Sequence, residues 1–427
     1  MSEVTVERWL KRAFWAAGIV FVAIGVVGWY DRLRFGHLDA AYGSIVPWGL
    51  WVAAYIFFIG LSAGSFLISS LVYVFGVKRF EPIGRIALFQ ALITLTLALL
   101  AIWVDLGHMG RAFNVYRYPN FSSPMAWMIW LYSAYFALLA TELWFLLRRD
   151  LAAGAQGSGG RARLYRVLAL GTKDTSFEAA EKDRKVVKVL ATIGIPIAIM
   201  FHGGVGALFG VVSARPGWNS GLFPILFLLS ALVSGGALLM LVAAIFQGGY
   251  RRNGDTIVAL GRLVAGLLVL DVIFQISEYL IASYGEVPGH VEGLKLMFSG
   301  PYWWVFWGWQ LALGTIIPLV ILFSRRGRQP LWAAAAGGLI ALGFIGVRLN
   351  IVIPALATEE IEGLTTAIVS SRISTDYFPS LMEWLVVVGI AGLGLLLFGL
   401  GESLLPVDRA AEQAGPADTA EVDHVRV

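Results

Sequence analysis

The 427-residue chain contains no cysteine and few charged residues. Without cysteine it cannot form disulfides, thiolate-held iron–sulfur clusters or cysteine-type zinc sites. Only 14% of its residues are charged and 58% are hydrophobic, whereas soluble domains have about 25% charged residues. The formal net charge of +4 gives no indication of a nucleic-acid partner, and we expect none. This composition indicates a membrane protein with several spanning segments.

The sequence consists largely of long apolar runs, and its mean hydropathy is +0.76. A helix spans the bilayer with about 20 largely apolar residues, and ten segments of the sequence meet this requirement. We therefore predict an all-α polytopic membrane protein with about ten transmembrane helices. The first apolar segment lacks a clear cleavage site, so we expect it to remain a membrane helix. The predicted spans are 13–30, 47–76, 86–105, 123–147, 188–212, 222–247, 257–284, 302–323, 331–356 and 381–404.

Basic residues are concentrated on one side of the predicted membrane. The loop 148–188 alone contains ten lysines and arginines. The segments around Arg8 and Lys78, which would share that side, are basic as well. By the positive-inside rule this side is cytoplasmic, so we expect both termini in the cytoplasm and the loop after Asp105 outside. The expected location is a bacterial or archaeal cytoplasmic (inner) membrane.

An internal repeat divides the apolar helices into two sets of four. The P-x-x-W-x-x-W motif at Pro124 recurs at Pro301, and a small-residue stretch near Ser62 recurs near Ser234. Small residues of this kind allow close helix packing. Because each copy has four helices, both copies enter the membrane in the same direction. We predict two parallel-repeat four-helix bundles, 47–212 with its cytoplasmic loop 148–188 and 213–356, plus peripheral helices in 1–46 and 357–405 and a disordered acidic tail at 406–427.

Ionisable residues inside apolar helices are costly, so each one is a candidate functional group. The candidates are Asp105, Glu142, His202, Asp271, Glu278 and Arg348. Asp271 and Glu278 share a helix face and could pass a proton, or one of them could pair with Arg348. Glu142 could instead snorkel towards Arg148 and Arg149 at the cytoplasmic end of its helix. His202 could be a hydrogen-bonded core residue or could exchange protons with a quinone.

The stretch 105–130 joins two apolar segments yet is dense in polar and aromatic residues. Those of interest are Asp105, His108, Arg111, Tyr116, Trp127 and Trp130. Trp127 and Trp130 could be anchors at the membrane interface or could flank a ring-shaped ligand. Such a loop at the membrane surface predicts a site that handles a polar or redox-active ligand.

Histidine is too sparse inside the helices for a haem site. Only His202 lies well within a predicted helix, whereas haem b needs axial histidines from facing helices. We therefore expect no haem and no metal in this chain, and hence no electron carrier of its own.

A series of different short motifs runs through the second to sixth predicted helices. They are P-W-G-L-W at 47–51, G-L-S-A-G at 60–64, D-L-G at 105–107, Y-P-N at 118–120, S-P-M at 123–125, P-G-W at 216–218 and P-I-L-F at 224–227. The series resembles the NrfD-like, polysulfide-reductase membrane subunits, which include membrane subunits of some hydrogenases and of alternative complex III. The ten-helix count is similar to the latter two branches. Family loops often read D-L-G-R-P, whereas His108 and Met109 follow Gly107 here. His108 could therefore bind a quinone carbonyl or replace a basic contact.

The resemblance implies a haem-free subunit that binds quinone, menaquinone or ubiquinone, in the first bundle near the outer surface. It also implies an iron–sulfur (ferredoxin-like) partner and a catalytic subunit, which could be a molybdopterin enzyme, a hydrogenase or a cytochrome. We expect no activity from the subunit alone. Under this hypothesis the catalytic candidates are Asp105, His108, Arg111 and His202, the quinone contacts are Trp48, Tyr116, Trp127 and Trp130, and the proton route is Glu142, Asp271, Glu278 and Arg348.

Two other functions stay open on the sequence. A secondary transporter also shows paired bundles and intramembrane charges, although matched Gly/Pro interruptions at mid-membrane are missing here. A purely structural anchor would need the polar residues only to hold partners. The direction of the quinone reaction and the pumping of protons are open as well.

Overall fold

The computed structural model describes residues 3–368, 370 and 372–407. Within these residues the chain forms helices and no strand, and ten helices are long and apolar enough to span a membrane. The predicted all-α polytopic architecture is therefore confirmed. The predicted tail lies outside the described residues from position 408 onward. The spanning helices are α1 (Glu3–Phe35), α2 (Leu50–Tyr73), α3 (Gly84–Asp105), α4 (Pro124–Gly154), α5 (Phe177–Gly210), α6 (Phe223–Ile245), α7 (Gly254–Tyr284), α8 (Val305–Phe323), α9 (Pro330–Leu356) and α10 (Leu381–Leu404).

Helix ends differ from the predicted spans where a helix continues into charged sequence. α1 begins at Glu3 rather than near residue 13, and α5 begins at Phe177 rather than near residue 188. α4 likewise continues to Gly154. Hydropathy marks only the part of a helix that lies in lipid, whereas the backbone hydrogen bonds extend the same helix into water.

Short helical segments occupy the connections between spanning helices. Two of them follow α3 and shape the loop that precedes α4. One longer surface helix precedes α8, and another lies between α4 and α5. The segments are Lys78–Ile83, Met109–Arg111, Asn114–Arg117, Gly160–Leu168, Gly249–Arg252, Pro288–Phe298, Arg325–Arg328 and Leu364–Ala367.

The helices α2 to α5 contact one another as one group, and α6 to α9 form another. The groups meet chiefly where α2 crosses α6. At this crossing, Gly64 of α2 lies against the backbone of Ala231 and Gly235 of α6. A side chain at either glycine would collide with backbone atoms, so glycine sets the distance between the two helices. We call the Gly64–Gly235 contact the glycine seam. The repeat relation between the two groups, and the domain limits drawn from it, stay predictions.

The helices α1 and α10 pair with each other and pack beside α3. Gly25 of α1 lies against Gly389 of α10, and Gly28 lies against Leu385. Segments far apart in the chain are thereby held together at one edge of the molecule.

The first part of α8 is a π-helix, from Val305 to Ile316, and an α-helix follows from Ile317. The Thr315 hydroxyl donates to the Gln310 carbonyl over 3.0 Å, five residues back. Gly314 packs directly on Gly343 of α9. π-Helical turns are rare and occur frequently at functional sites, which makes Gln310, the amide side chain of this segment, a candidate for a functional contact.

We expect Gly235→Ala to destabilise the protein by about 1–3 kcal/mol, because overpacking a close helix contact forces backbone shifts. A Cβ at position 235 would lie 2.6 Å from the Ser65 nitrogen and 2.7 Å from the Gly64 Cα atom. Gly266→Ala on α7 is the matched control, since a Cβ there meets nothing within 4 Å and alanine favours the helix. Thermal unfolding in detergent measures both variants. Equal unfolding midpoints would contradict the seam's role.

Candidate functional site

A cavity of about 520 Å³ lies in the first helix group, under the loop between α3 and α4. We call it the loop cavity, and we call the membrane side that carries residues 106–123 the loop side. Its walls come from α2, α4, α5 and the loop itself and are mostly apolar. The few polar side chains that line it are Tyr55, His108, Arg111, Tyr118, Asn120, Ser123 and Tyr132.

Two tyrosines stand on the helix walls of the loop cavity. The hydroxyls of Tyr55 on α2 and Tyr132 on α4 are hydrogen-bonded to each other, and both side chains are buried. The Tyr132 ring packs edge-on against Phe201 of α5, with 5.6 Å between ring centroids. A hydroxyl pair uses one proton for its own bond, so the second proton can be donated to a ligand oxygen. Sequence reasoning missed this pair because an uncharged tyrosine gives no signal in an apolar helix.

The rim of the loop cavity carries the predicted residues His108 and Arg111. Both are exposed, and the turn between them is closed by the Arg111 amide, which donates to the His108 carbonyl over 2.9 Å. Trp48, also predicted, lines the cavity from the segment before α2. Its ring stacks on Trp218 with 5.8 Å between centroids and an interplanar angle of 24°. The structure therefore brings three predicted residues to one cavity.

Three other predicted quinone contacts lie outside this cavity, on the outward face of α4. The Tyr116 hydroxyl is hydrogen-bonded to Ser133 over 2.6 Å, and the Tyr116 ring packs against Trp130. The Trp127 indole donates to the Phe121 carbonyl over 2.7 Å. All three rings are exposed on the protein surface. Their position fits anchors at the membrane interface, the alternative that the sequence left open.

Asp105 faces α1 and α10 rather than the loop cavity. The Tyr42 hydroxyl donates to Asp105 over 3.0 Å. The positive charge that acts on Asp105 is that of buried Arg32. Arg32 donates to the carbonyls of Val104 and Leu106, each over 2.7 Å. Arg32 thus fixes the start of the loop.

A second carboxylate, that of Glu383 on α10, lies near Asp105 and makes its own hydrogen bonds. Glu383 is fully buried, accepts from the Ala41 amide over 2.8 Å and is hydrogen-bonded to the Tyr377 hydroxyl. The same hydroxyl accepts from the Leu50 amide over 2.9 Å. We call Arg32, Tyr42, Asp105, Tyr377 and Glu383 the anchor network.

The tyrosines of the anchor network stay protonated. Burial, and then the charge of Asp105, raise the pKa of Tyr42 well above its usual value. Burial, and then the charge of Glu383, raise the pKa of Tyr377. Each hydroxyl therefore acts as a donor to its carboxylate at neutral pH. The network connects α1, α3, α10 and the segment before α2, which no local sequence pattern could reveal.

A narrower cleft of about 100 Å³ lies in the second helix group. It brings together the predicted residues Asp271, Glu278 and Arg348. Asp271 accepts from Gln275 over 2.5 Å, and Glu278 is hydrogen-bonded to the Ser220 hydroxyl. We call this cavity the second cleft.

Arg348 is fully enclosed at the inner end of the second cleft. Its guanidinium donates to the Ser230 hydroxyl over 2.5 Å and lies 5.0 Å from the Phe227 ring centroid. Its Nε atom and the Asp271 Oδ1 atom are buried without a hydrogen-bond partner among the described residues. Buried polar atoms of this kind are normally satisfied by ordered water.

The π-helical segment of α8 contributes Gln310 to the hydrogen bonds at the edge of the second cleft. Gln310 donates to Gln275 over 2.7 Å and to the Tyr279 hydroxyl over 3.2 Å. Asn350 of α9 donates to Gln310 over 2.7 Å, while its own Oδ1 atom is buried without a partner within the described part of the chain. Gln310 thus joins α7, α8 and α9 beside the cleft.

His202 and Glu142 are both fully buried, at separate places. His202 donates through Nε2 to the Phe227 carbonyl over 2.8 Å, and it lies close to Gly60 of α2, where the two helix groups meet. This is the hydrogen-bonded core position that the sequence left open. Glu142 lies in the first group, and neither carboxylate oxygen has a hydrogen-bond partner among the described residues.

The expected alternative for Glu142, snorkelling towards nearby arginines, is wrong. Arg148 pairs with Asp183 over 2.7 Å, and Arg149 donates to the Thr175 carbonyl over 3.2 Å. The predicted proton-route residues are thereby divided, with Glu142 in one helix group and the other three in the second cleft. Within residues 3–368, 370 and 372–407, no group of three potential ligand side chains could hold a metal ion.

Comparison with known proteins gives one family. A protein-family model described as polysulphide reductase, NrfD, matches residues 40–360. The chain is 40% identical to a selenate reductase subunit of Mesobacillus selenatarsenatis, covering 93% of this chain and 95% of that protein. It is 29% identical to a putative dimethyl sulfoxide reductase membrane subunit of Halobacterium salinarum, over 96% and 94%. It is also 29% identical to an Hdr-like menaquinol oxidoreductase integral membrane subunit of Archaeoglobus fulgidus, over 94% and 95%.

We expect Arg32→Gln to loosen the loop over the cavity, because two hydrogen bonds from a charged donor are lost. Trypsin should then cut the intact protein after Arg111 and Arg117 at least roughly tenfold faster, as followed by mass spectrometry of the fragments. Arg34→Gln is the control, since Arg34 is exposed near Phe35 on the same helix turn. Equal cutting rates in the two variants would contradict the anchoring role.

Proposed function

The chain belongs to the polysulphide reductase NrfD family, and on this basis we propose that it is the quinone-reactive membrane subunit of a respiratory oxidoreductase complex. In this role it anchors the complex in the cytoplasmic membrane, with both termini in the cytoplasm and the loop side outside. It exchanges electrons between membrane quinone and an iron–sulfur subunit docked on the loop side. The observation that carries the proposal is the loop cavity, with apolar walls and polar groups at its rim and on its helix walls.

The residues of the loop cavity fit a quinone head group. Ligand pockets in proteins usually have about 300–1,000 Å³ and are mainly apolar with a few placed polar groups, and the loop cavity has both properties. Two separate sets of polar groups suit a ring with two carbonyl oxygens. Tyr55 and Tyr132 would hold one oxygen, and His108 or Arg111 would hold the other. When bound as quinol, the ligand supplies two electrons and two protons.

His108 is the residue best placed to move protons between the cavity and water. It lines the loop cavity and is also exposed at the surface, so its imidazole can take a proton on one side and release it on the other. Asp105 does not line the cavity and acts as a positioning residue, through the loop that Arg32 holds. His202 would act as a packing residue between the helix groups.

Electrons must leave the cavity through another protein. The chain has no cysteine, so an iron–sulfur cluster would have to belong to a partner. The loop beside the cavity exposes Phe113 by 77% and Tyr118 by 73%, with Arg111 and Arg117 between and beside them. Exposed aromatic and arginine side chains are enriched at protein interfaces. This surface supports docking directly above the cavity. The relatives' names refer to reductases and an oxidoreductase, so we do not propose the transporter alternative.

We expect Tyr132→Phe to lower quinol-linked turnover of the assembled complex by about tenfold, because a buried hydroxyl that holds the ligand is lost. His108→Gln should also lower turnover, with the effect increasing when proton release limits the rate. Tyr116→Phe is the matched control, since its hydroxyl binds Ser133 outside the cavity. Equal turnover in the Tyr132 and Tyr116 variants would reject the loop cavity as the quinone site.

We further propose that the second cleft carries protons between the loop side and the middle of the membrane. Its support is the buried and unpartnered atoms of Asp271, Arg348 and Asn350, which would be satisfied by a short chain of water. Glu278 stands farther along the same face of α7 and also lines the cleft. Glu142 would hold a proton in the first helix group, two turns from Tyr135 on the same face of α4.

We expect Asp271→Asn and Glu278→Gln to lower the number of protons translocated per electron in liposomes while quinol-linked turnover continues. The reason is that neutral side chains cannot take up and release the proton. Glu292→Gln, an exposed carboxylate on the surface helix beside the cleft, is the control. An unchanged proton-to-electron ratio in both cleft variants would refute this role and leave the quinone site untouched.

A further inference from the structure

The chain between α4 and α5 turns back towards the bilayer. Trp144 lies about 20 residues after Pro124, which is about 30 Å along a helix and matches the thickness of the hydrocarbon core. α4 then continues past this boundary to Gly154. The surface helix Gly160–Leu168 returns, and the Trp144 indole donates to the Leu168 carbonyl over 2.9 Å. Leu168 is therefore held at the depth of the membrane boundary.

One face of this surface helix is fixed to the protein. Ala162, Tyr165 and Ala169 are buried at helical spacing, and the Tyr165 ring packs against Gly154. The face that points away from the protein carries Arg163, Arg166, Val167 and, just past the helix, Leu170. Apolar and basic residues thus share the unpartnered face.

The apolar members of that face are unusually exposed. Val167 is 67% and Leu170 is 75% exposed on the protein. Leu170 also has φ +49°, in the left-handed region that residues with side chains seldom adopt, and Gly171 follows with φ +80°. The turn therefore directs a leucine away from the protein at the depth of the boundary. Acyl chains would cover both side chains, whereas water would leave them unfavourably hydrated.

The basic residues of this segment are exposed beside the apolar pair. Arg163, Arg166 and Lys173 are exposed, and neither Arg163 nor Lys173 makes an ion pair in the described part of the chain. Among the described residues, Arg166 donates to the Ala162 carbonyl of its own helix over 3.4 Å and makes no ion pair.

The acidic groups nearby are already engaged. Asp174 accepts from the Ser176 amide over 2.9 Å, Glu178 pairs with Lys182 over 2.9 Å, and Asp183 pairs with Arg148 over 2.7 Å. The arginines therefore remain available to an external anion, such as a phosphate of the bilayer surface.

We propose that residues 160–173 form a binding site for an anionic phospholipid. Val167 and Leu170 enter the acyl region, and Arg163, Arg166 and Lys173 hold the phosphate and the acidic head group. Basic and apolar side chains combined on one surface segment are the arrangement that binds anionic membrane surfaces. The site is independent of the loop cavity, which lies at the opposite end of α4.

Native mass spectrometry of the purified protein tests the site, with phosphatidylglycerol and phosphatidylcholine added separately. We expect the unmodified protein to retain phosphatidylglycerol preferentially, and inorganic phosphate not to displace it. Arg163→Gln combined with Arg166→Gln should weaken phosphatidylglycerol binding by at least roughly tenfold. The control is Arg325→Gln combined with Arg328→Gln, which removes two exposed charges after α8 on the same side of the membrane.

Leu170→Gly separates lipid binding from folding. Glycine adopts a positive φ freely, so this variant should unfold at the same temperature as the unmodified protein or higher, yet retain less phosphatidylglycerol. Full binding by Leu170→Gly, or equal weakening by the two arginine pairs, would overturn the proposal. Displacement by inorganic phosphate would show a site for free anions and would overturn it as well.

Discussion

The contact between α2 and α6 at the glycine seam is the constraint on which both cavities depend. One turn from Gly64 on α2, Gly60 lies beside Arg348, His202 and Ser234. A wider spacing at the seam would separate these side chains from α2 and open the enclosed end of the second cleft. In a membrane the polar groups have no bulk water to turn to, so their partners must be neighbouring helices or enclosed water molecules. Close packing at two glycines therefore allows a fully buried arginine in the middle of the protein.

The unsatisfied polar atoms are distributed unevenly, and the pattern separates two kinds of site. Around Asp105 and Glu383 the carboxylates receive hydrogen bonds from tyrosines and backbone amides, as in a rigid structural element. In the second cleft, Asp271 and Arg348 keep atoms without a protein partner among the described residues. Fully satisfied networks rigidify, whereas partly satisfied ones leave room for exchangeable water. The number of charged residues in a stretch of sequence, which is high in the loop after Asp105, does not show whether a site is structural or functional.

Most of the fold could be predicted from the sequence, because length and apolarity define a spanning helix. Within the candidate site, the placing of His108 and Arg111 beside one cavity could be predicted, because both lie on one short loop. The direction in which Trp127 and Trp130 face could not be predicted, because the sequence of a short loop does not show which side of the following helix turns outward. The Tyr55–Tyr132 pair could not be predicted, because the two residues carry no charge and come from different helices. Arg32 joins the same network as Tyr377 and Glu383 from nearly the other end of the chain, so no local pattern predicts this arrangement. The π-helix at Gln310 has no sequence pattern that distinguishes it from an α-helix.

The pairing of α1 with α10 has a consequence for biosynthesis. The ribosome releases α1 early and α10 late, yet Arg32 on α1, Tyr377 and Glu383 meet in one network at the start of the loop. Until α10 is inserted, the segment before α2 lacks its carboxylate and hydroxyl partners. The mouth of the loop cavity is therefore completed only after α10 has been synthesised and inserted. A prematurely terminated chain would insert most of its helices and still lack an ordered entrance, which would keep such a chain from taking part in assembly.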